Sequence, residues 1–409
     1  MGTEENRENF SDVEKAIIFL VEDPFSERDF RRYGFEILQK RGLTPWVFDL
    51  SRLLNPHSYA NKPRIVECSY KNIVVFEDKN LAKKAMAELA NKNLFYSAAG
   101  FKLSSLWVYR TLEKLKAQYA VGKNSLHPQS KDLRPRSFFS KVTRALEVLW
   151  KNPRLFIFLL FSRLPKTWLG IKRGAAIVLS GGRGALSQKH HASTSYSLIV
   201  PCHAMDYDLF LESQSSDPSH PAKQRIVFLD QYLPFHPDWE HGSVFDQKNY
   251  FASLDKVFSQ IEEYYGIKVS IAAHPRAQYE DKGDCFRGRE VVYGNTINLV
   301  KESLLVIAHC STAINFAVFF MRPICFVRTD DFEKDPEMER HMRLFAEMLG
   351  RKVIVPEQGM NEDWKQMTTI DSEKYRNYID MYIKQAGSPE KNTWEIFCDV
   401  VLKKPFLKT

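Results

Sequence analysis

At 409 residues the chain is too long for one ordinary hydrophobic core and fits two domains of typical size. A hydrophobic share of 44% and a charged share of 26% are globular values and exclude whole-chain disorder. The net charge of +8 favours anionic partners (nucleotides, nucleic acid or an anionic membrane face) without choosing among them.

Along the chain, the polar and acidic start Met1–Asn6 lacks the apolar core of a signal peptide. Lys15–Val21 is a continuous apolar run, the pattern of a strand buried on both faces. Asp23-Pro24 breaks it, and Ser26 with Asp29 offers a cap for a helix running to about Lys40, stopped by Gly42. Pro45–Leu50 and Lys71–Phe76 are further strands, the second followed by a helix over Asn80–Leu89. Residues 131–173 differ: eleven Lys and Arg face only Asp132 and Glu147, interleaved with Phe138, Phe139, Trp150, Trp168 and the apolar run Leu155–Phe161. That run is far too short to cross a bilayer. Strands resume at Ala175–Ser180 and Tyr196–Val200, and the Ser/Pro-rich stretch 213–224 is the linker candidate.

A second series follows: strands at Arg225–Leu229, Lys268–Ala273, Leu304–Ala308 and Pro323–Val327, and helices at Tyr250–Tyr265 and Thr312–Phe320. The expectation is an α/β protein with two Rossmann-like doubly wound domains facing a cleft. Residues 1–212 form a first domain that includes the basic aromatic segment, and 213–224 link it to a second, ligand-binding domain at 225–390. A helix in 391–409 packs back across both.

Strands of such a sheet deliver their C-terminal ends to the ligand crevice. In the second domain those ends carry Asp230-Gln231, His274-Pro275-Arg276 and His309-Cys310-Ser311-Thr312. Ser311 and Thr312 open a helix, where hydroxyls and free N–H groups suit an anion such as a phosphate. Each residue alone reads more simply as a cap or a turn, and convergence on one sheet edge favours a site. His274 is expected beside Ser311-Thr312 on adjacent strand ends.

Residues 225–332 resemble the nucleotide-binding half of GT-B-type glycosyltransferases of bacterial surface polysaccharides, the sialyltransferase-like groups with His-Pro and Ser-Ser/Thr motifs. The matching residues are Phe228–Gln231, Tyr250–Tyr265, Ile271–Arg276, Gly294–Thr296, Leu299-Val300, His309–Ala313 and Arg322–Ile324. The resemblance implies an inverting transfer of an acidic sugar, sialic-acid-like or Kdo-like, from a CMP-sugar donor to a surface glycan or lipid-linked acceptor. It implies no cofactor and no metal. Asp230, Gln231, His274, Pro275, Arg276, Thr296, Ser311 and Thr312 would hold the nucleotide, with His274 assisting its departure. Thr329-Asp330-Asp331 after Pro323-Ile324 also looks like the CDP-polyol phosphotransferases of teichoic-acid synthesis, which likewise release a cytidine nucleotide. A nucleotide-sugar 2-epimerase relative and a non-catalytic glycan-assembly subunit of the same fold are further readings.

An inverting transfer needs a base. Asp206 and Asp208, after the strand ending near Val200, are placed on the facing domain for that role. Asp206-Tyr207-Asp208 also reads as a DxD metal motif, a common triplet by chance. Asp238–Gly242 is a loose echo of the acidic Gly motif of the sialyltransferase-like families. The six cysteines (Cys68, Cys202, Cys285, Cys310, Cys325, Cys398) show no CxxC spacing, and His190-His191 has no further ligands near it, so zinc is not expected. The basic aromatic segment reads as a membrane-surface belt or as solvated helices. No nucleic-acid module is recognisable. The protein is expected in the cytoplasm, at most peripheral at the inner membrane face.

Overall fold

The structure, a computed structural model, describes residues 15–56, 68–124, 164–187, 192–214, 224–236, 243–355 and 364–403, with Val13 and Pro128. The linker stretch 215–223, the His190-His191 pair, Asp238–Gly242 and most of the basic aromatic segment lie outside the described residues. The chain forms two compact units. One holds the described residues to Asn124, those from 164 to Cys202 and those from Ser388; the other holds His203–Gly387.

The first unit carries seven parallel strands: β1 (Ala16–Val21), β2 (Thr44–Asp49), β3 (Ile73–Val75), β4 (Leu94–Ser97), β5 (Tyr119–Lys123), β6 (Ile177–Gly181) and β7 (Leu198–Cys202). Their order is 3-2-1-4-5-6-7. Every residue of β1 is buried because both sheet faces are covered. Ile18, Leu20, Phe95 and Val121 face Met86, Leu89 and Leu112, whereas Ile17, Phe19, Tyr96 and Leu179 face Phe35, Leu38, Trp394 and Phe397. The helix expected over Ser26–Lys40 is two, Glu27–Arg32 and Phe35–Lys40, separated by Gly34 in the left-handed region. Ser26 caps the first with a reciprocal Asp29 bond, as its sequence predicts.

The second unit carries six parallel strands: β8 (Arg225–Leu229), β9 (Val269–Ala272), β10 (Val291–Val292), β11 (Ser303–Ala308), β12 (Ile324–Val327) and β13 (Val353–Ile354). Their order, 10-9-8-11-12-13, is the doubly wound arrangement in which the chain fills one side of its first strand and then the other. The reversal lies between β8 and β11. Phe228, Val306, Phe326 and Ile271 line the core against Leu254, Val257 and Phe258 of the helix Gln247–Tyr265.

Residues expected at the end of the first domain fold instead with the second unit. The helix Met205–Gln214 sets Tyr207 and Phe210 against the Phe319 ring, each at 5.2 Å between centroids, and the Ser213 carbonyl accepts from Lys301 Nζ at 2.9 Å. The C-terminal helix Thr393–Lys403 packs in the first unit, with Trp394, Phe397 and Val401 in its core.

Candidate functional site

All six strands of the second sheet run in one direction, so their C-terminal ends meet along one edge. β8 ends in Asp230 and Gln231, and their side chains bind the strands on either side. Asp230 is buried; its Oδ1 accepts from Tyr232 N at 2.8 Å, and its Oδ2 accepts from His274 N at 3.2 Å and Tyr279 Oη at 3.0 Å. Gln231 Oε1 accepts from Cys310 N at 2.9 Å, directly across the strand-order reversal. That reversal is where ligands enter open α/β sheets. Tyr232 completes the turn in the left-handed region (φ 55°), an unfavourable conformation for a non-glycine residue. Its hydroxyl donates to the Gln278 carbonyl at 3.0 Å.

His274 is half-buried at the end of β9. The Arg276 N–H donates to its Nδ1 at 3.2 Å, which leaves Nε2 to carry the proton in the neutral ring. His274 therefore presents an Nε2–H donor, and the His236 ring lies 5.1 Å from its own. Pro275 is exposed and Arg276 half-buried on the same turn. Ser311 is half-buried and Thr312 exposed after β11. The helix there spans Ile314–Phe319 with Ala313 at its cap position, so neither hydroxyl is an N-cap; Ser311 Oγ accepts from Ala313 N at 3.2 Å in the preceding turn.

His274 and Ser311 share the sheet edge but not adjacent strands. β8 separates β9 from β11, and Asp230-Gln231 joins the two flanks. Thr296 opens the helix Thr296–Lys301 after β10, at the same edge but two strands from β8. Asp206 and Asp208 belong to the second unit rather than a facing domain. Asp206 Oδ2 accepts from Asn315 Nδ2 at 3.1 Å, and Asn315 Oδ1 accepts from Tyr378 Oη at 3.2 Å. Asp208 is buried 3.7 Å from His203 Nε2. Among the described residues no three His, Cys, Asp or Glu side chains gather where they could hold a metal ion. Asp331 instead pairs with Lys334 at 2.6 Å.

Three further residues shape this edge. Fully buried His309 donates from Nδ1 to the Val327 carbonyl at 2.5 Å, and its Nε2 accepts from Tyr250 Oη at 3.0 Å. It ties β11 to β12 and to the helix Gln247–Tyr265, immediately before Cys310-Ser311. Burial lowers its pKa to about 4, so the ring is neutral near pH 7. Burial raises Asp230 to about 6, against the pull of its hydrogen bonds. Burial pushes the Cys310 thiol up to about 12, which makes it a packing group rather than a nucleophile. A histidine closing the apolar run Leu304–Ala308 was the available signal for His309. Tyr250 falls on the apolar face of its helix with Leu254, Val257, Phe258 and Ile261, but neither it nor Tyr279 announces its partner, which is distant in sequence.

No protein-family model matches the chain, and no curated protein does either. Among solved structures, it is similar to the UDP-GlcNAc 2-epimerase from Neisseria meningitidis bound to UDP-GlcNAc, at 10% identity and a TM-score of 0.47 over 95% of this chain and 100% of that one. It is similar to the spinosyn forosaminyltransferase SpnP, at 12% identity and a TM-score of 0.46 over 96% of this chain and 100% of the other. MurG from Acinetobacter baumannii aligns at 10% identity and a TM-score of 0.43 over 95% of this chain and 100% of its own. Likeness at this level leaves substrate and chemistry to the residues of the site itself.

Proposed function

We propose that the C-terminal edge of the second sheet binds a nucleotide-activated sugar and that the chain is an inverting glycosyltransferase. The observation that carries the reading is the pair of links from the end of β8 to the strands on both sides, the second of which crosses the strand-order reversal. Asp230 holds the His274 turn and Gln231 holds the Cys310-Ser311 turn, so two polar turns are fixed on either side of β8 at the edge where open α/β sheets take their ligands. The motif resemblance makes the donor a CMP-linked acidic sugar and the acceptor a surface glycan or its lipid-linked precursor.

In the proposed reaction an acceptor hydroxyl attacks the anomeric carbon as the bond from that carbon to the phosphate oxygen breaks. The nucleotide takes the bonding electrons and the acceptor proton goes to a base. His274 Nε2–H donates to the phosphate as negative charge develops on it, the moment at which a fixed donor contributes most. Ser311 and Thr312 supply hydroxyls to the same group. Of the two aspartates, half-buried Asp206 suits the base better than Asp208, which is buried beside His203. Asp206 touches Asn315, four residues beyond Ser311.

A thermal-shift panel of CMP, CDP, UMP, UDP and GDP tests the reading. A nucleotide at a hundred times its Kd stabilises the fold by about 2.7 kcal/mol. Cytidine nucleotides should shift the melt most. A shift with uridine nucleotides alone would replace the donor, and no shift with any of the five would remove the site. His274→Ala should keep the cytidine shift and lower transfer by roughly 100-fold or more. Asp206→Asn should likewise bind and not turn over; full activity in either variant excludes that residue from the chemistry.

A further inference from the structure

The first unit exposes a large apolar pair that its own fold holds outward. Trp168 is 76% exposed and Leu103 62% exposed, although the chain around each is tightly anchored. Leu164 and Phe101 pack on buried Leu169 and Leu106, which joins the loop bearing Trp168 to the loop bearing Leu103. Arg110 Nε donates to the Leu169 carbonyl at 2.9 Å. The Glu113 carboxylate accepts from the backbone of Lys172, Arg173 and Gly174 at 3.2, 3.0 and 2.6 Å. The turn 165–171 is thus fixed from behind, and an indole is kept in water on a rigid support, an arrangement that marks interaction surfaces.

Basic residues outnumber acidic ones around the turn that bears Trp168: Arg110, Lys166, Lys172 and Arg173 against Glu113. Lys172 and Arg173 are exposed, with no side-chain partner among the described residues. The nearby acids are engaged: Glu113 by backbone amides, and Glu22 by Lys102 at 3.2 Å. An exposed indole and leucine, with exposed cations in excess over acids on the indole's own turn, match the boundary of an anionic lipid leaflet, where the ring sits at head-group depth and the cations meet lipid phosphates. A symmetric contact between two copies would bring the same cations onto each other. Nucleic acid would use the indole for stacking but has no use for the adjacent leucine. Among the described residues no helix is long and apolar enough to cross a membrane.

We infer that Trp168 and Leu103, with Lys172 and Arg173, form a docking surface for an anionic membrane. The surface lies in the first unit and does not depend on the nucleotide reading, although a lipid-linked acceptor would give it a purpose.

Sedimentation of the full chain with phosphatidylcholine vesicles, with and without phosphatidylglycerol, tests it. The chain should partition onto the anionic vesicles only, and less so at high salt. Replacing both Lys172 and Arg173 by Ala should lower the partition coefficient roughly 30-fold, from two cations near a charged surface. Trp168→Ala should lower it about tenfold, while melting temperature and the nucleotide shift stay at wild-type values. Four outcomes overturn the proposal: no preference for anionic vesicles; unchanged binding in the Trp168 variant; dimerisation abolished by Trp168→Ala without vesicle binding; or a single-stranded oligonucleotide competing fully for the surface.

Discussion

Asp230 and His309 sit at the ends of neighbouring strands with opposite shifts: burial raises Asp230 to about 6 and lowers His309 to about 4. Between those values the unfolded chain keeps its proton on the imidazole and the folded protein keeps it on the carboxyl. Each state holds one proton, so the two contributions to pH dependence largely cancel. Taken singly they have opposite signs. The His309 contribution is complete above its unfolded pKa of about 6.5 and is lost as pH falls through 4. The Asp230 contribution is complete below its unfolded value and is lost as pH rises through 6. Replacing one group exposes the other. The destabilisation caused by His309→Asn should grow by about 3 kcal/mol between pH 4 and pH 6.5, and that of Asp230→Asn should shrink over the same interval. Urea unfolding of both variants and wild type at pH 4, 5 and 6.5 measures this, and a pH-independent cost for His309→Asn would mean that the imidazole titrates normally. Polar residues closing apolar runs made Asp230 and His274 legible in the sequence. Their direct link, from the His274 N–H to the Asp230 carboxylate, and the neutral state of His309 were not, since both arise from burial and from partners far along the chain.

At the scale of elements, apolar runs and caps fixed most strands in the sequence, while packing set where helices break. β1, β2, β8, β9, β11 and β12 all stand within a residue or two of the apolar runs that predict them. β4 and β5 have no counterpart among the expected strands: Tyr119–Lys123 ends in Gly122 and Lys123, which interrupt its apolar run, and Leu94–Ser97 follows the polar Asn91-Lys92-Asn93. The break in the first helix has a specific cause. Gly34 adopts φ 58°, and a Cβ there would overlap the indole of Trp394, whose Nε1 donates to the Arg32 carbonyl at 2.8 Å. The residue that breaks the helix is thus matched by one near the far end of the chain. Gly34→Ala combines left-handed strain with overpacking and should cost about 3 kcal/mol. In a unit of this size that lowers its melting temperature by roughly 10 °C. Calorimetry checks this, and Gly34→Ala with a wild-type melt would show that the indole can move aside cheaply.

Over the whole molecule, the chain enters the second unit after Cys202 and returns at Ser388. The two ends of the second unit are tied together by the Ala204 N–H donating to the Ile383 carbonyl at 2.8 Å and by the His203–Lys384 bridge. Composition alone points to the Ser/Pro-rich stretch at 213–224 as the linker, because polarity is visible in a sequence and long-range packing is not. The helix Met205–Gln214 joins the second unit through Tyr207, Phe210 and Asp206, none of which announces its partner. The return of the chain has an energetic consequence. Trp394, Ile396, Phe397, Cys398 and Val401 complete one face of the first core, and Asp399 pairs with Arg41 at 2.6 Å. Burial of each large apolar side chain contributes about 1.5–3 kcal/mol. Their sum is comparable with the roughly 5–15 kcal/mol that stabilises a whole domain. A chain ending at Gly387 should therefore lose the first unit and keep the second. In hydrogen exchange, amides of β1 and β4 should approach unfolded rates while those of β8 and β11 stay protected, with the cytidine-nucleotide shift retained. Equal protection of β1 and β4 in the full and shortened chains would mean that the first unit is stable without its returning helix; loss of protection at β8 would mean that the second core depends on it.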